Sequence, residues 1–353
     1  MGKYIFDPTR RANLDRRTFL RLSGLLGLGT AAAAVCPAAA EAVKFDRRAF
    51  KVSQEKWAIG TRVSITAVDA SRDKAEDAIG RAFDEITRLS KLFNRFEDST
   101  AVGTLNREGL LEDVPPEMTL VVGAALDYYR LTGGLFDITV KPVIDLFRSS
   151  YDAGQALPPP EREFAEALSL VGSSAVRLSP GIIKIDREGA GITLDGIAKG
   201  FIVDRVSGIM TGAGVRNHLV NAGGDIRTSG SKGSGGPWTV AIQDPGRRAG
   251  HVSTIRMGKG AVATSGNYEV YFDREKMFHH IIDPSSGYSP FATMGASVRS
   301  NTAMEADALS TALFVMGSER AVKFAGGVPS CECLIVKKGG RVFTTPGWRN
   351  AAI

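Results

Sequence analysis

A carboxylate and a hydroxyl group stand four residues apart in the run EADALSTALFVMG, residues 305–317. On a helix, Asp307 and Thr311 would share one face. Their oxygens suit a hard cation such as Mg²⁺, which takes oxygen ligands and keeps water or substrate phosphates in its other positions. Apolar neighbours predict a buried helix over 303–316, in which a buried carboxylate needs a partner. The spacing alone is a weak signal for a metal site.

Lys199 lies in TLDGIAKGFIVDRV, residues 193–206, near the predicted start of a helix. Free backbone N–H groups and a positive charge at that position favour an anion such as a phosphate. A solvated surface lysine is the simpler alternative.

A histidine and an aspartate stand three residues apart in HHIIDPSSGYSP, residues 279–290. His280 is a candidate general base or proton relay because its ordinary pKa suits that role. Asp283 is the competing candidate. A hydrogen-bonded core histidine is the alternative without chemistry.

Two glycine pairs are placed where a ligand could approach the backbone closely. In TGGLFDITVKPV (132–143) the pair ends a predicted helix and turns the chain at Phe136 and Asp137. In LVNAGGDIRTSG (219–230) the pair follows a predicted strand, and no helix follows it, so the segment is not a dinucleotide-binding fingerprint. In isolation, a helix cap and a plain turn are the default interpretations of these two pairs.

Hydrophobic periodicity predicts the elements that position these residues. Alternation over 57–69 predicts a strand, and Ser71 or Asp73 is expected to cap a helix that reaches Phe93. Helices and strands mix without strict alternation, which favours an α+β fold with mixed sheets and packed helices over a doubly wound sheet. The same patterns predict an irregular loop over 93–106, helices over 117–131 and 161–170, loop over 149–160, a hairpin turning at 179–181, a flexible hairpin loop over 229–236 and a last hairpin turning at 339–340.

The amino terminus has the order of a twin-arginine (Tat) export signal. Arg16 and Arg17 precede an apolar stretch and the small-residue segment 38–40. We therefore predict a signal peptide over 1–41, a flexible segment over 42–56, a single catalytic domain over 57–350 and a periplasmic location. Residues before Cys36 fit a lipidation motif poorly, so no lipid anchor is expected there.

Composition narrows the possible partners. Without the signal, roughly 312 residues remain, with a net charge near +3 and no basic stripe, which argues against nucleic-acid binding. No later segment reaches transmembrane length. Cys331 and Cys333 lie on a predicted strand and are expected to be buried thiols, with an oxidised pair as the alternative.

Taken in order from Ile59 to Gly317, these segments resemble the ApbE family of periplasmic FAD:protein FMN transferases. The resemblance implies a T-fold-like α+β architecture, with FAD as substrate and Mg²⁺ as cofactor. Ile59 stands where the family has methionine, Phe96 where tyrosine is commoner, and Thr193 where an acid is usual. The implied metal ligands are Gly196 (through its carbonyl), Asp307 and Thr311. The implied flavin contacts are Ile59, Phe96, Gly134, Leu135, Phe136, Thr193, Lys199 and Ile281.

The resemblance also implies a reaction. A threonine or serine hydroxyl of an acceptor protein, a subunit of a membrane or periplasmic redox complex, attacks the FMN-side phosphorus of FAD, and AMP leaves. His280, or in its place Asp283, would accept the proton. Two alternatives stay open: an FAD pyrophosphatase, in which water replaces the acceptor, and a non-catalytic flavin carrier or assembly factor for an exported redox complex such as that of nitrous-oxide respiration.

Overall fold

The computed structural model of the protein describes residues 41–44, 49–155, 158–233, 235–246, 250–273 and 277–353. Nearly all of the predicted signal peptide lies outside the described residues. The helices are α1 (Arg72–Leu92), α2 (Ala101–Glu108), α3 (Pro116–Leu131), α4 (Lys141–Asp152), α5 (Glu161–Ser169), α6 (Ala198–Gly212), α7 (Ala303–Met316), α8 (Ser318–Ala325) and α9 (Pro346–Ala351), with 3-10 turns at Ile138–Val140 and Ser173–Ala175. The strands are β1 (Glu41–Lys44), β2 (Phe50–Ala58), β3 (Thr61–Asp69), β4 (Leu110–Glu112), β5 (Val176–Ser179), β6 (Ile182–Ile185), β7 (Asn217–Ala222), β8 (Asp225–Ser229), β9 (Trp238–Gln243), β10 (His251–Met257), β11 (Gly260–Gly266), β12 (Thr293–Ser300), β13 (Glu332–Lys337) and β14 (Val342–Thr344).

A nine-stranded antiparallel sheet organises the molecule, in the order β1-β2-β3-β7-β8-β11-β12-β13-β14. Helices α1 and α6 pack together on the β2–β3–β7–β8 part, and α7 packs on β11 and β12 while contacting α6. Two smaller sheets, β9–β10 and β4–β6–β5, lie outside it. The α+β prediction is confirmed.

Helix α7 has the bounds that its sequence predicts. The Thr302 side chain accepts a hydrogen bond from the Glu305 N–H, and Gly317 ends the helix at a φ of 81°. The hairpins β5–β6 and β13–β14 also form as predicted. Cys331 and Cys333 are both buried and no disulfide joins them. Among the described residues, no helix is both long and apolar enough to span a membrane.

The prediction of a flexible segment over 42–56 is wrong where the structure describes it. Residues 41–44 form β1 and residues 50–58 form β2, which pairs with β3 along its whole length. Only Val52 of β2 is fully buried, so the strand lacks the apolar alternation by which sequence reasoning recognises strands. The predicted strand 57–69 is also divided, by a turn at Ile59 and Gly60, whose φ values are 44° and 72°.

Three further expectations are corrected. The irregular loop expected over 93–106 ends early, because the Thr100 side chain accepts from the Gly103 N–H and caps α2 at 101. Helix α4 occupies Lys141–Asp152, part of which was expected to be loop. The segment 229–236 connects β8 to β9, which lie in different sheets, so it is not a hairpin loop.

Candidate functional site

Segments distant in the sequence meet around a cavity of about 70 Å³. The turn after α3, the loop before α6, strand β11, the segment around 280 and helix α7 form its wall. Most of the predicted site residues line it, together with several that sequence reasoning missed. The predicted ones are Leu135, Phe136, Thr193, Gly196, Lys199, His280, Ile281, Asp307 and Thr311.

The three predicted metal ligands lie side by side in this cavity. A Cβ at Gly196 would come within 3.0 Å of the Thr311 Oγ1, so the loop backbone passes directly over that hydroxyl. One oxygen of Asp307, Oδ2, accepts a hydrogen bond from the Gly200 N–H at 3.0 Å. The Thr311 Oγ1 also lies 3.2 Å from the Ser265 Oγ. The glycine is therefore needed for the close approach of the loop to α7.

Contacts between α6 and α7 hold this arrangement. The Asp204 carboxylate of α6 accepts hydrogen bonds from the N–H groups of Ala303 and Met304, each at 2.9 Å, at the start of α7. At Gly200 the two helices touch, since a Cβ there would lie 2.3 Å from the Ala303 carbonyl oxygen. The loop of Gly196 and the face of Asp307 are thus fixed relative to each other.

The electrostatics of the cavity suit a cation. Burial, and then repulsion by Asp225, raise the pKa of Asp307 to about 8, although Lys199 opposes the shift. Burial alone would lower the pKa of Lys199, but attraction by Asp225 and Asp307 outweighs it and the pKa is raised. The Lys199 ammonium is paired with Asp225. A divalent cation bound at Asp307 would compensate a buried carboxylate, and a carboxylate, a hydroxyl and a carbonyl are the hard oxygen donors that Mg²⁺ takes. The residues present therefore fit Mg²⁺.

His280 is held as a neutral imidazole at the wall of the cavity. Its Nδ1 lies 3.0 Å from the Val270 carbonyl oxygen, to which it donates, so Nε2 is left as a proton acceptor. Burial lowers the pKa of His280 to about 4. The competing candidate, Asp283, does not line the cavity; its Oδ1 accepts from the N–H and hydroxyl of Ser285 in the turn that follows.

Three predicted flavin contacts lie outside the cavity wall. Ile59 is buried in the main core at the β2–β3 turn. Gly134, with a φ of 87°, forms the turn after α3 that places Leu135 and Phe136. Phe96 is 41% exposed and lies against two arginines.

Sequence reasoning missed Glu269. Glu269 lines the first cavity and a second, of about 540 Å³, and Thr264 also lines both. Burial raises the pKa of Glu269 to about 7; Lys199 opposes this shift and Asp225 adds to it. Asp195 was not among the predicted site residues either. It lines the cavity and binds Arg95 at 3.0 Å. The interaction of Glu269 with Lys199 and that of Asp195 with Arg95 have no local sequence signal, because the two residues of each pair are far apart in the chain.

Several known proteins are similar to this chain in sequence or in fold. A Haemophilus influenzae protein named FAD:protein FMN transferase is 33% identical over 242 residues, 66% of this chain and 68% of its own. A Vibrio cholerae protein of that name is 32% identical over 228 residues, 64% of this chain and 68% of its own. The crystal structure of the ApbE protein of Thermotoga maritima superposes with a TM-score of 0.78 at 30% identity, covering 86% of this chain and 99% of that one. The model of the ApbE family matches residues 59–335. That match covers well over half of the sequence, and the chain belongs to the ApbE family.

Proposed function

We propose that this chain is a Mg²⁺-dependent FAD:protein FMN transferase that attaches FMN to a threonine or serine of an acceptor protein and releases AMP. The observation that carries the proposal is the meeting of Gly196, Asp307 and Thr311 beside Lys199 in one cavity. The relatives named FAD:protein FMN transferase support the same reaction.

In this reaction the acceptor oxygen forms a bond to the FMN-side phosphorus, and the bond from that phosphorus to the bridging oxygen breaks as AMP leaves. Mg²⁺, when bound, supplies a Lewis acid for the diphosphate. Lys199 adds a second positive charge beside it. His280 Nε2 takes the proton of the acceptor hydroxyl, since Nδ1 is committed to Val270.

Apolar side chains provide the surface for the flavin. Leu135, Phe136 and Ile281 line the first cavity, whose volume is too small for a whole FAD. The second cavity adjoins it along Thr264 and Glu269. We infer that the dinucleotide and the acceptor segment together occupy both cavities.

The proposed acceptor is an exported subunit of a membrane or periplasmic redox complex, and we propose that the chain reaches it through the Tat pathway. The basis is the Arg16-Arg17 pair ahead of an apolar stretch. Replacing both arginines by lysine should keep the chain in the cytoplasm of a Tat-competent host. Export of that variant at the wild-type level would contradict the proposal.

The test of activity is incubation of the chain lacking residues 1–41 with FAD, Mg²⁺ and a candidate acceptor domain. Covalent FMN on the acceptor, detected by mass, together with free AMP is the expected result. Free FMN and AMP with an unmodified acceptor would instead show an FAD pyrophosphatase, and unchanged bound FAD would show a carrier.

A further inference from the structure

A cluster of charge lies beside the cavity, on the loop between α1 and α2 and on α4. The Arg95 side chain is 2% exposed and donates to Asp195 at 3.0 Å and to Asp145 at 3.1 Å. Arg148 makes no ion pair with any described residue. Both guanidinium groups lie against the Phe96 ring, their Cζ atoms 4.3 Å and 4.7 Å from its centroid.

Three guanidinium nitrogens in this cluster are shielded from solvent and have no acceptor within the part of the chain that the structure describes. They are the Nη2 of Arg95 and the Nε and Nη2 of Arg148. A buried donor without an acceptor costs its full desolvation, so native proteins seldom retain one without a reason such as an absent ion or ligand. Three such donors around one ring indicate that a ligand completes them.

The surrounding charges leave Arg148 without a neutralising partner. Burial, and then the charge of Arg95, lower the pKa of Arg148. Asp145, Asp195 and Asp152 oppose that shift, but the first two bind Arg95. Asp145 also accepts from Lys141 at 2.6 Å. The group that would satisfy Arg148 is therefore a further anion.

We propose that Arg95, Phe96 and Arg148 form an oxyanion-binding site at the outer edge of the cavity, with the ring turning aside to admit a phosphate or a carboxylate. Guanidinium groups bind both kinds of oxyanion in a bidentate manner. Arg95 ties the site to the cavity, because it holds Asp195, the neighbour of Gly196. The choice of ligand rests on the proposed function, whose reaction offers two sources: the adenylate-side phosphate of FAD and an acidic side chain of the acceptor.

Arg148→Met tests the site, since methionine keeps much of the apolar stem and removes the donors. The control is Arg162→Met on α5, which removes one exposed charge paired with Glu166. The probes are FAD and two peptides that differ only in having Glu or Gln on either side of a threonine. Binding is measured by fluorescence without Mg²⁺, so that no turnover is required.

We expect Arg148→Met to weaken either FAD or the Glu peptide at least tenfold, with Arg162→Met within twofold of the wild type. A loss confined to FAD assigns the phosphate, and a loss confined to the Glu peptide assigns the carboxylate. Unchanged affinity for FAD and for the Glu peptide would overturn the proposal. Equal losses of affinity for FAD and both peptides would overturn it as well.

A stability measurement separates binding from a structural role. Because its buried donors are unsatisfied, removal of Arg148 should leave the melting temperature of the ligand-free protein unchanged or raise it. A clear fall in the melting temperature would mean that Arg148 stabilises the loop between α1 and α2, and would overturn the proposal. Failure of the wild-type chain to transfer FMN would count against the proposed function alone, since these binding measurements do not depend on turnover.

Discussion

In the proposed reaction Asp307 binds the cation and His280 accepts the proton. Asp307 is a carboxylate kept in a buried site near another, Asp225, an arrangement that is unfavourable until a cation binds. His280 is a buried imidazole that lines the cavity and whose Nδ1 is hydrogen-bonded to the Val270 carbonyl. Each role therefore predicts a different defect when the residue is replaced.

Asp307→Asn should lower Mg²⁺-dependent turnover about 100-fold or more, roughly 3 kcal/mol of lost transition-state stabilisation. Above about pH 8 the ligand-free variant should be at least as stable as the wild type, because only there does the wild type carry a buried charge at Asp307. Initial rates against Mg²⁺ concentration and a thermal melt check both points. Asp127→Asn, at an exposed position of α3, is the control. Wild-type turnover in the Asp307 variant would refute the metal assignment.

His280→Gln should slow turnover by about 10²-fold or more, the range of a lost general base. FAD affinity should stay within a few-fold of the wild type, because the imidazole is assigned to proton transfer and not to flavin binding. Flavin fluorescence titration and the transfer assay measure the two quantities separately. A loss of FAD affinity as large as the loss of rate would assign His280 to binding instead.

At the scale of elements, the contact between α6 and α7 decides whether the candidate metal ligands meet. Gly200 is in direct contact with the start of α7, and Asp204 binds that same end. Asp307 and Thr311 of α7 then face the loop of Gly196. Separation of the two helices would move Asp307 and Thr311 away from the loop of Gly196, and these are the residues that would hold Mg²⁺.

Gly200→Ala should destabilise the protein by about 1–3 kcal/mol and weaken the response of activity to Mg²⁺, since a methyl group cannot share space with the Ala303 carbonyl. Gly208→Ala on the same helix is the matched control. No atom lies within 4 Å of a Cβ there, so it should stabilise by about 0.5–1 kcal/mol. Denaturant unfolding of both variants gives the comparison. Equal stability of the two would show that the helices do not depend on this contact.

Local signals account for what the sequence could predict at this scale. Helix α7 was predicted with its bounds because its apolar residues run from Ala303 to Met316, directly before Gly317. Strand β2 was not, because its one fully buried residue, Val52, gives no alternating pattern. The candidate metal ligands could be proposed from the family resemblance. The contacts of Glu269 and Asp195 could not, because they depend on segments that only the folded sheet and its helices bring together.

At the scale of the whole molecule, buried histidines and buried acids have opposite effects on the pH dependence of folding stability. Burial lowers the pKa values of His279 and His280 to about 3 and about 4. Both histidines stay neutral in the folded protein, whereas the unfolded chain takes up protons below about pH 6.5. Their contribution to the free energy of unfolding therefore falls as the pH falls. Asp307 and Glu269, whose pKa values are raised, act in the opposite direction. The total pH dependence is therefore a difference of opposing effects, and a single variant is needed to isolate one of them.

His279→Asn isolates one effect at a residue to which the proposed reaction assigns no step. The His279 Nδ1 accepts from the Ile281 N–H, a hydrogen bond that protonation would break and that asparagine can retain. The stability of the wild type relative to this variant should fall by about 1.4 kcal/mol per pH unit between pH 6 and pH 4. Urea unfolding at several pH values measures that difference. A difference that does not vary with pH would show that His279 is not held neutral.

The buried cysteines bear on the proposed Tat export of the chain. Burial raises the pKa values of Cys331 and Cys333 to about 12, so the folded protein presents no thiolate to an oxidant. A chain threaded across the membrane unfolded would expose both sulfurs to an oxidising compartment before β13 had formed over them. Under the proposed export in the folded state, the chain would instead reach that compartment with both thiols already buried and reduced.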